Sequence, residues 1–269
     1  MPVEVRGQHL LAEGIRLHYL EHAGDGPPLI VIPGITSTAI TWEFISAGLA
    51  EFAHVYTLDT RGRGLSAGGP DLEYWLADYA RDTANTIAAL GLDAPIVLGH
   101  SMGARIAIKL AAEAPERVGR MILVDPPVSG PGRRKYPIPL QWYFDGIDAA
   151  SRGDPVDTSN PVLRNWTASQ LALRNEWLPS CDLKAIEQSH RSFEEEDIHK
   201  LMPNIQCETF MIYAEKGGTV REEDADEIIG AIPNVSRMRI DGVGHMIPWD
   251  NLATFVAAVR GFIKANPAP

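Results

Sequence analysis

Cysteine is scarce in this chain of 269 residues, which carries only Cys181 and Cys207. Their spacing matches neither a disulfide framework nor a zinc site, which is typical of a protein in a reducing compartment, and we expect the cytoplasm. The amino-terminal segment lacks the apolar stretch of a secretory signal, and no run approaches the ~18 apolar residues that a membrane-spanning helix needs. We therefore expect no membrane association.

Positive charge is also in short supply, because 24 Lys and Arg face 35 Asp and Glu, for a formal net charge of −11. Nucleic-acid binders ordinarily present a basic face, so this balance argues against nucleic acid as a partner. Hydrophobic residues make up 45% of the chain and charged residues 22%, close to the average globular domain. Enough apolar side chains are therefore present for a large core.

Short apolar runs alternate with helical patterns through the first 125 residues. The runs predict strands at residues 29–32, 54–58, 96–99 and 121–124. Each is a continuous series of β-branched or aliphatic residues, as in strands that helices cover on both faces. The pattern predicts an α/β fold with a mostly parallel central sheet flanked by helices.

Proline interrupts this pattern between residues 126 and 203, among aromatic and charged residues. We interpret residues 126–203 as an inserted helical lid over the carboxyl edge of the sheet. The lid separates a first core segment, residues 1–125, from a second core segment, residues 204–269. The second segment is predicted to contain strands at residues 209–213 and 236–240 and helices at residues 222–232 and 252–265.

The strongest functional motif is Gly99-His100-Ser101-Met102-Gly103, between a predicted strand and a predicted helix. In a nucleophile elbow, glycines on both sides of the serine let strand and helix approach closely, and the strained turn exposes the hydroxyl. The strand before the motif and the helix after it favour such an elbow over a chance match. We therefore predict that Ser101 is a nucleophile.

A serine hydroxyl is a poor nucleophile at neutral pH and needs an imidazole to take its proton. Among eight histidines, His245 follows the last predicted strand and precedes the last predicted helix, where it can reach across the strand ends. His100 adjoins the nucleophile and is expected to point into packing. The oxyanion needs two backbone N–H donors, which we assign to Met102, at the start of the next helix, and Ile35, after the first buried strand.

Two more segments accompany the elbow and the loop at Ile35: residues 59–66 read D-x-R-G-x-G-x-S, and residues 242–245 read G-x-G-H. Together, in this order, they resemble the α/β-hydrolase superfamily along nearly the whole chain. The resemblance implies the α/β-hydrolase fold and a Ser-His-acid triad that needs no metal or cofactor. One departure is Pro33, which stands where the family's oxyanion loop usually has histidine.

The triad acid is a second departure, because the position after the post-lid strand that holds aspartate in most relatives is Gly217 here. We expect Asp125 instead, since it ends the strand next to the elbow and so lies at the same edge of the sheet. Several family members carry the acid there. Glu215 and Asp241 are the alternatives, and a turn-capping role before two prolines is the other interpretation of Asp125.

This triad, with a short proline-rich lid, resembles family members that act as deformylases on a linear amide. The resemblance implies a small anionic amide as substrate, which needs local cations or hydrogen-bond donors in a protein of charge −11. The candidate substrate-binding residues are Thr36 and Trp42 beside the oxyanion loop, and Arg133, Arg134, Tyr136, Trp142 and His190 in the predicted lid. Their alternative roles are a solvated basic turn for the arginines and packing for the aromatic residues.

Other functions remain open on this evidence. A carboxylesterase or a C–C bond hydrolase would use the same triad, and a haloperoxidase-like side reaction is also known in such enzymes. Glycine at position 217 favours a non-catalytic member that binds a small ligand, whereas Ser101 and His245 argue for catalysis. Haloalkane dehalogenases and epoxide hydrolases are disfavoured because they carry aspartate where Ser101 stands.

Overall fold

One sheet organises the chain, of which a computed structural model describes residues 4–156, 161–163 and 165–265. The strands of the sheet are Val5–Ala12 (β1), Ile15–His22 (β2), Pro28–Ile32 (β3), His54–Asp59 (β4), Ile96–His100 (β5), Arg120–Val124 (β6), Glu208–Ala214 (β7) and Val235–Ile240 (β8). Their spatial order is β1-β2-β4-β3-β5-β6-β7-β8. β2 is antiparallel to both of its neighbours, and the pairs from β4 to β8 are parallel. The predicted α/β fold is therefore confirmed.

Helices cover both faces of the sheet. They are Glu43–Leu49 (α1), Leu76–Ala89 (α2), Met102–Glu113 (α3), Leu140–Ser151 (α4), Ala168–Trp177 (α5), Leu183–Glu195 (α6), Glu222–Ala231 (α7), Ile247–Asp250 (α8) and Leu252–Ala265 (α9). Alternate residues of a strand face opposite sides, so Ile30 packs with α2 and α3, whereas Leu29 packs with α1 and α9. Within the described ranges, no helix is both long and apolar enough to cross a membrane.

The amino-terminal hairpin of β1 and β2 has no counterpart among the strands located from the apolar runs. It turns at Glu13 and Gly14, whose φ angles of 47° and 86° are both positive, as a tight hairpin requires. Most of β1 is exposed or half-buried, so its sequence mixes polar and apolar residues. Antiparallel edge strands commonly have this composition, which a search for continuous apolar runs does not detect.

Residues 126–203, which we call the insert, contain α4, α5 and α6. The insert is tied to α3 by the Arg105 guanidinium, which donates to the carbonyl oxygens of Ser192 at 3.1 Å and Glu196 at 2.7 Å. Phe193 of α6 is fully buried, and its ring centre lies 5.5 Å from Cζ of Arg105. The insert therefore packs against the core at the helix that follows the elbow.

Two glycines allow α3 to approach the sheet closely. A Cβ atom on Gly103, the second residue of α3, would lie 1.9 Å from the carbonyl oxygen of Ile32 in β3. A Cβ atom on Gly99 of β5 would lie 2.2 Å from the carbonyl oxygen of Gly103. Because both obstacles are backbone atoms, only glycine fits at either position without moving the strand or the helix.

We expect Gly103→Ala to lower the free energy of unfolding by at least about 2 kcal/mol, because the added methyl group overlaps a backbone carbonyl that cannot rotate away. Gly261→Ala is the matched control, since Gly261 is an exposed residue of α9 where an added Cβ atom would meet nothing within 4 Å. That control should gain about 0.5–1 kcal/mol from helix propensity. Urea unfolding followed by circular dichroism measures both, and equal changes would contradict the close approach.

Candidate active site

Ser101 occupies a strained turn between β5 and α3. Its φ and ψ angles are 55° and −117°, a combination that costs a non-glycine residue about 1–3 kcal/mol. The Ser101 N–H donates to the carbonyl oxygen of Val124 at 2.9 Å, which ties the turn to β6. The residue is only 2% exposed, so its hydroxyl faces an enclosed space rather than bulk water.

His245 connects Ser101 to Asp125. Its Nε2 atom lies 2.9 Å from Ser101 Oγ, and its Nδ1 atom lies 2.5 Å from Asp125 Oδ2. Asp125 is fully buried and has a φ angle of 47°, and its Oδ1 accepts a hydrogen bond from the N–H of Ala214 at 3.2 Å. The carboxylate favours a proton on Nδ1, which leaves Nε2 free to accept the serine proton.

The backbone N–H groups of Ile35 and Met102 have no acceptor in the described part of the chain. Met102 is the first residue of α3, where helix geometry leaves the N–H unpaired. The Ile35 loop packs on the elbow, because a Cβ atom on Gly34 would lie 3.4 Å from Ser101 Cβ. The arrangement can hold an oxygen anion formed beside Ser101.

The segment at residues 59–66 supports the Ile35 loop. Arg63 is fully buried, and its Nε donates to the carbonyl oxygen of Ile35 at 2.9 Å. Asp59 Oδ1 accepts a hydrogen bond from the N–H of Ala39 at 2.6 Å, and its Oδ2 accepts one from Leu65 at 3.0 Å. The D-x-R-G-x-G-x-S motif thus holds the Ile35 loop in place by hydrogen bonds, and none of its residues lines the cavity.

A cavity opens above the serine. It is lined by Gly34, Ile35, Thr36, Ser37, Thr41, His100, Ser101, Tyr136, Ile138, Trp142, Tyr143, Val162, Leu163, Trp166, Arg174, His245 and Met246. The lining is mainly apolar, with a few polar groups that can orient a small ligand. Among the residues that the structure describes, no group of three His, Cys, Asp or Glu side chains is arranged to hold a metal ion.

The structure brings three of the seven predicted substrate-binding residues to the cavity wall: Thr36, Tyr136 and Trp142. Trp42 is fully buried behind the wall and packs edge-on against Trp249. His190 bonds through Nε2 to the carbonyl oxygen of Ile138 at 2.8 Å, so it supports the wall from outside.

The structure does not bring Arg133 and Arg134 to the cavity. Arg133 forms an exposed ion pair with Glu227, with Nη1 and Oε2 2.8 Å apart. Arg134 pairs with Asp224 at 2.5 Å. Both carboxylates belong to α7, so these ion pairs fasten the start of the insert to the second core segment. Among the described residues, the arginine that lines the cavity is Arg174 of α5, which no motif of the sequence indicates.

Tyr136 places a second hydroxyl at Ser101. Burial raises the pKa of Tyr136 to about 12, against the opposing effect of hydrogen bonds with Tyr143 and Ser101. The hydroxyl oxygens of Tyr136 and Tyr143 lie 3.0 Å apart. The phenol therefore stays protonated at neutral pH and offers the serine side a neutral donor.

Comparison with known proteins agrees with this geometry. Residues 27–252 match the protein family described as the alpha/beta hydrolase fold. The chain belongs to the α/β-hydrolase family. It is 45% identical over 263 residues to N-formylmaleamate deformylase of Pseudomonas putida strain KT2440, with 98% of each chain covered.

Solved structures place this hydrolase in the same group. N-formylmaleamic acid deformylase from Pseudomonas putida S16 has a TM-score of 0.88 and 40% identity, covering 94% of this chain and 100% of that chain. E-2-(acetamidomethylene)succinate hydrolase has a TM-score of 0.78 at 20% identity, covering 97% of this chain and 100% of that chain. The second likeness is one of fold alone.

Gly217 leaves room for the Asp125 carboxylate, which follows β6. A Cβ atom at Gly217 would lie 2.9 Å from Asp125 Oδ2 and 3.3 Å from the backbone nitrogen of His245. The position that carries the acid in most relatives therefore borders the space that the Asp125 carboxylate fills. A larger residue at position 217 would crowd that carboxylate. Glycine at 217 is therefore the residue that is sterically compatible with Asp125 in this position.

The alternative acids lie elsewhere. Glu215 is exposed, and its Oε2 accepts a hydrogen bond from the N–H of Gly242 at 2.8 Å. Asp241 is also exposed and accepts a hydrogen bond from Arg239 Nε at 2.9 Å. The structure brings neither carboxylate to His245, whose carboxylate partner is Asp125.

His100 holds the backbone of His245 by a hydrogen bond. Its Nε2 donates to the carbonyl oxygen of His245 at 3.0 Å, and the two ring centres lie 5.0 Å apart. Burial, with a smaller effect of the nearby His245, lowers the pKa of His100 from 6.5 to about 3. A neutral ring with its proton on Nε2 is the form that makes this hydrogen bond, so His100 holds the His245 loop without being charged.

We expect the wild-type protein to lose stability on acidification more steeply than His100→Gln. Below pH 6.5 the unfolded chain protonates His100 and the folded chain does not, so stability falls as pH falls, by about 2 kcal/mol between pH 7 and pH 5 from this residue. Glutamine keeps an N–H donor but does not titrate. Urea unfolding at both pH values measures the difference, and parallel losses in the two proteins would contradict a neutral buried His100.

Proposed function

We propose that this hydrolase removes the formyl group of N-formylmaleamate, giving maleamate and formate through a formyl-serine intermediate. The observation that carries the proposal is the 45% identity, over 98% of both chains, to a deformylase of that substrate. The hydrogen-bonded series Ser101, His245 and Asp125 supports it, because a linear amide needs an activated nucleophile. The reaction that we propose belongs to bacterial nicotinate breakdown.

The first step is acylation of the serine. Ser101 Oγ attacks the formyl carbon while His245 Nε2, 2.9 Å away, accepts the hydroxyl proton. Asp125 accepts the hydrogen bond from Nδ1–H, which keeps the imidazole in the reactive tautomer and stabilises the imidazolium that forms. The formyl oxygen becomes an oxyanion and accepts hydrogen bonds from the N–H groups of Ile35 and Met102.

Collapse of the tetrahedral intermediate breaks the C–N bond. His245 returns the proton to the departing nitrogen, so maleamate leaves with a neutral primary amide group and its carboxylate, and Ser101 carries a formyl ester. A water molecule then gives a proton to His245 and attacks the ester carbon. The second intermediate collapses to formic acid, which loses its proton to solvent and leaves as formate, and Ser101 recovers its proton from the imidazolium.

We propose that the insert acts as the lid of this site, between core segments 1–125 and 204–269. It contributes Tyr136, Trp142 and Arg174 to the cavity wall, whereas the core contributes the nucleophile and the base. A lid of this kind separates the formyl ester from bulk water other than the molecule that reacts. Cys181 and Cys207 are free thiols, which supports a reducing compartment, and we propose the cytoplasm.

A carboxylesterase, a C–C bond hydrolase or a non-catalytic ligand-binding protein would fit the same fold, and the assay of substrates separates them. We expect fast formate release from N-formylmaleamate and slow cleavage of p-nitrophenyl acetate. Ser101→Ala should lower formate release at least about a thousandfold, because the residual rate comes from binding and the oxyanion donors alone. A formate dehydrogenase assay measures the product.

Each other outcome points to a different function. Ester cleavage without formate release would support the catalytic triad but reject N-formylmaleamate as the substrate. Inactivity toward both compounds, with no labelling of the serine by a fluorophosphonate, would favour the ligand-binding protein. Formate release that persists in Ser101→Ala would reject the formyl-serine intermediate.

We expect Asp125→Asn to reduce kcat by about four orders of magnitude, because the asparagine leaves His245 in the wrong tautomer. Glu215→Gln is the matched control and should leave kcat within about twofold, since the exposed Glu215 side chain bonds, among the described residues, to the loop at Gly242. Steady-state formate release measures both variants. A larger loss in Glu215→Gln than in Asp125→Asn would move the acid to the end of β7.

A relocation experiment tests the same residue independently. Asp125→Gly removes the carboxylate and is compatible with the φ angle of 47° at that position. Adding Gly217→Asp places a carboxylate where most relatives have it, beside the space that Asp125 occupied. The kcat of the double variant should be at least about tenfold higher than the kcat of Asp125→Gly alone. An unchanged kcat would count against a purely electrostatic and orienting role for the acid.

A further inference from the structure

Buried arginines of this protein are paired with acceptors of the chain itself. Arg61 donates to both oxygens of Asp82, and Arg63 donates to the carbonyl oxygen of Ile35. Arg105 donates to the carbonyl oxygens of Pro127, Ser129, Ser192 and Glu196. This pairing is expected, because a guanidinium withdrawn from water is costly unless acceptors replace its hydration.

Arg174, a half-buried arginine of α5, differs from these three. Burial lowers its pKa from the usual value of 12.5, yet no residue in the described ranges accepts a hydrogen bond from it or forms an ion pair with it. Its one ring contact in this part of the chain is with Trp142, whose centre lies 5.8 Å from the guanidinium carbon. The groups that raise its pKa are Cys181 and Tyr143, and neither is a carboxylate.

The cavity that Arg174 lines contains no other fixed charge among its described residues. Their side chains include no aspartate, glutamate or lysine, and His100 there is held neutral by burial. Asp125 lies behind His245 and is not part of the lining. In a protein of net charge −11, Arg174 is therefore the one fixed positive charge among the described residues that line this cavity.

We propose that Arg174 binds the substrate carboxylate and so selects amides whose leaving group is an anion. This inference rests on the proposed function, in which the carboxylate belongs to the departing maleamate and the formyl group lies at Ser101. A guanidinium offers paired N–H donors that match the two oxygens of a carboxylate, and a water-poor cavity strengthens such charge-assisted bonds. The carboxylate supplies the acceptors that the described part of the chain withholds from Arg174.

The leaving group, rather than the formyl group, is thus the part of the substrate that Arg174 recognises. p-Nitrophenyl formate forms the same formyl ester on Ser101 from a neutral donor, so its turnover should not depend on Arg174. N-formylcrotonamide of Z geometry has a methyl group in place of the carboxylate and tests the anion alone.

The experiment compares Arg174→Gln with the wild type on N-formylmaleamate, Z-N-formylcrotonamide and p-nitrophenyl formate. We expect kcat/KM for N-formylmaleamate to fall about 10- to 100-fold, mainly through KM, because charge-assisted hydrogen bonds are lost. The two neutral donors should change less than about threefold. Arg174→Lys should be intermediate, since it keeps the charge and loses the planar fork.

Arg191→Gln is the matched control, because Arg191 is an exposed arginine of the same insert that pairs with Glu195. It should retain wild-type values on all three compounds. Unchanged turnover of p-nitrophenyl formate by Arg174→Gln also shows that this variant folds. Equal losses on anionic and neutral donors, or an anion-specific loss in Arg133→Gln and none in Arg174→Gln, would overturn the proposal.

Inhibition separates this inference from the proposed function. Maleamate should inhibit p-nitrophenyl formate turnover by the wild type, and the inhibition constant should rise at least about tenfold in Arg174→Gln. If the wild type does not release formate from N-formylmaleamate, the proposed function fails, while Arg174-dependent inhibition would still support an anion site. If formate release and inhibition are both unaffected by Arg174→Gln, the proposed function stands and the assignment of Arg174 fails.

Discussion

The parallel register of β5 against β6 determines where the reactive groups meet. His100 at the end of β5 pairs with Val124 at the end of β6. The next residue on each strand is Ser101 on one side and Asp125 on the other, so the two stand at the same level of the sheet on neighbouring strands. A shift of the register by one residue would change the separation of Ser101 and Asp125, and His245 could then no longer bond to both.

Both residues depart from ordinary backbone geometry at this level. Ser101 and Asp125 have φ angles of 55° and 47°, each of which costs about 1–3 kcal/mol for a residue with a side chain. Backbone hydrogen bonds to the neighbouring strand hold both in place, from Ser101 to Val124 and from Asp125 to Ile212. The central sheet therefore stabilises a geometry that the local chain disfavours, and it aims both side chains at His245.

The buried strands, the elbow and the position of Asp125 can be predicted from the sequence because their signals are local. Strands covered on both faces are continuous apolar runs, and the elbow is a five-residue motif whose glycines have a steric cause, the close approach of Gly103 to β3. The edge at which Asp125 lies follows from the parallel order of the strands. The amino-terminal hairpin was not located, because half-exposed antiparallel strands have no continuous apolar run.

The substrate-facing residues were harder to locate because they depend on long-range packing. Arg133 and Arg134 were reasonable cations by sequence, yet they pair with Glu227 and Asp224, about 90 residues further along the chain. α5, which carries Arg174, has no buried residue in its described part and therefore no apolar stripe that would show its orientation. Only the folded insert distinguishes Arg174 from the arginines on the surface.

In the function that we propose, recognition and reaction lie on separate stretches of this chain. Ser101, Asp125 and the oxyanion donors precede the insert, His245 follows it, and Tyr136, Trp142 and Arg174 belong to it. Because Asp125 directly follows β6 and precedes the insert, Ser101 and Asp125 adjoin neighbouring strand ends and need no contribution from residues 126–203 to be neighbours. Exchange of the insert between related proteins could therefore redirect such an enzyme to a different leaving group while its bond-breaking apparatus is inherited intact.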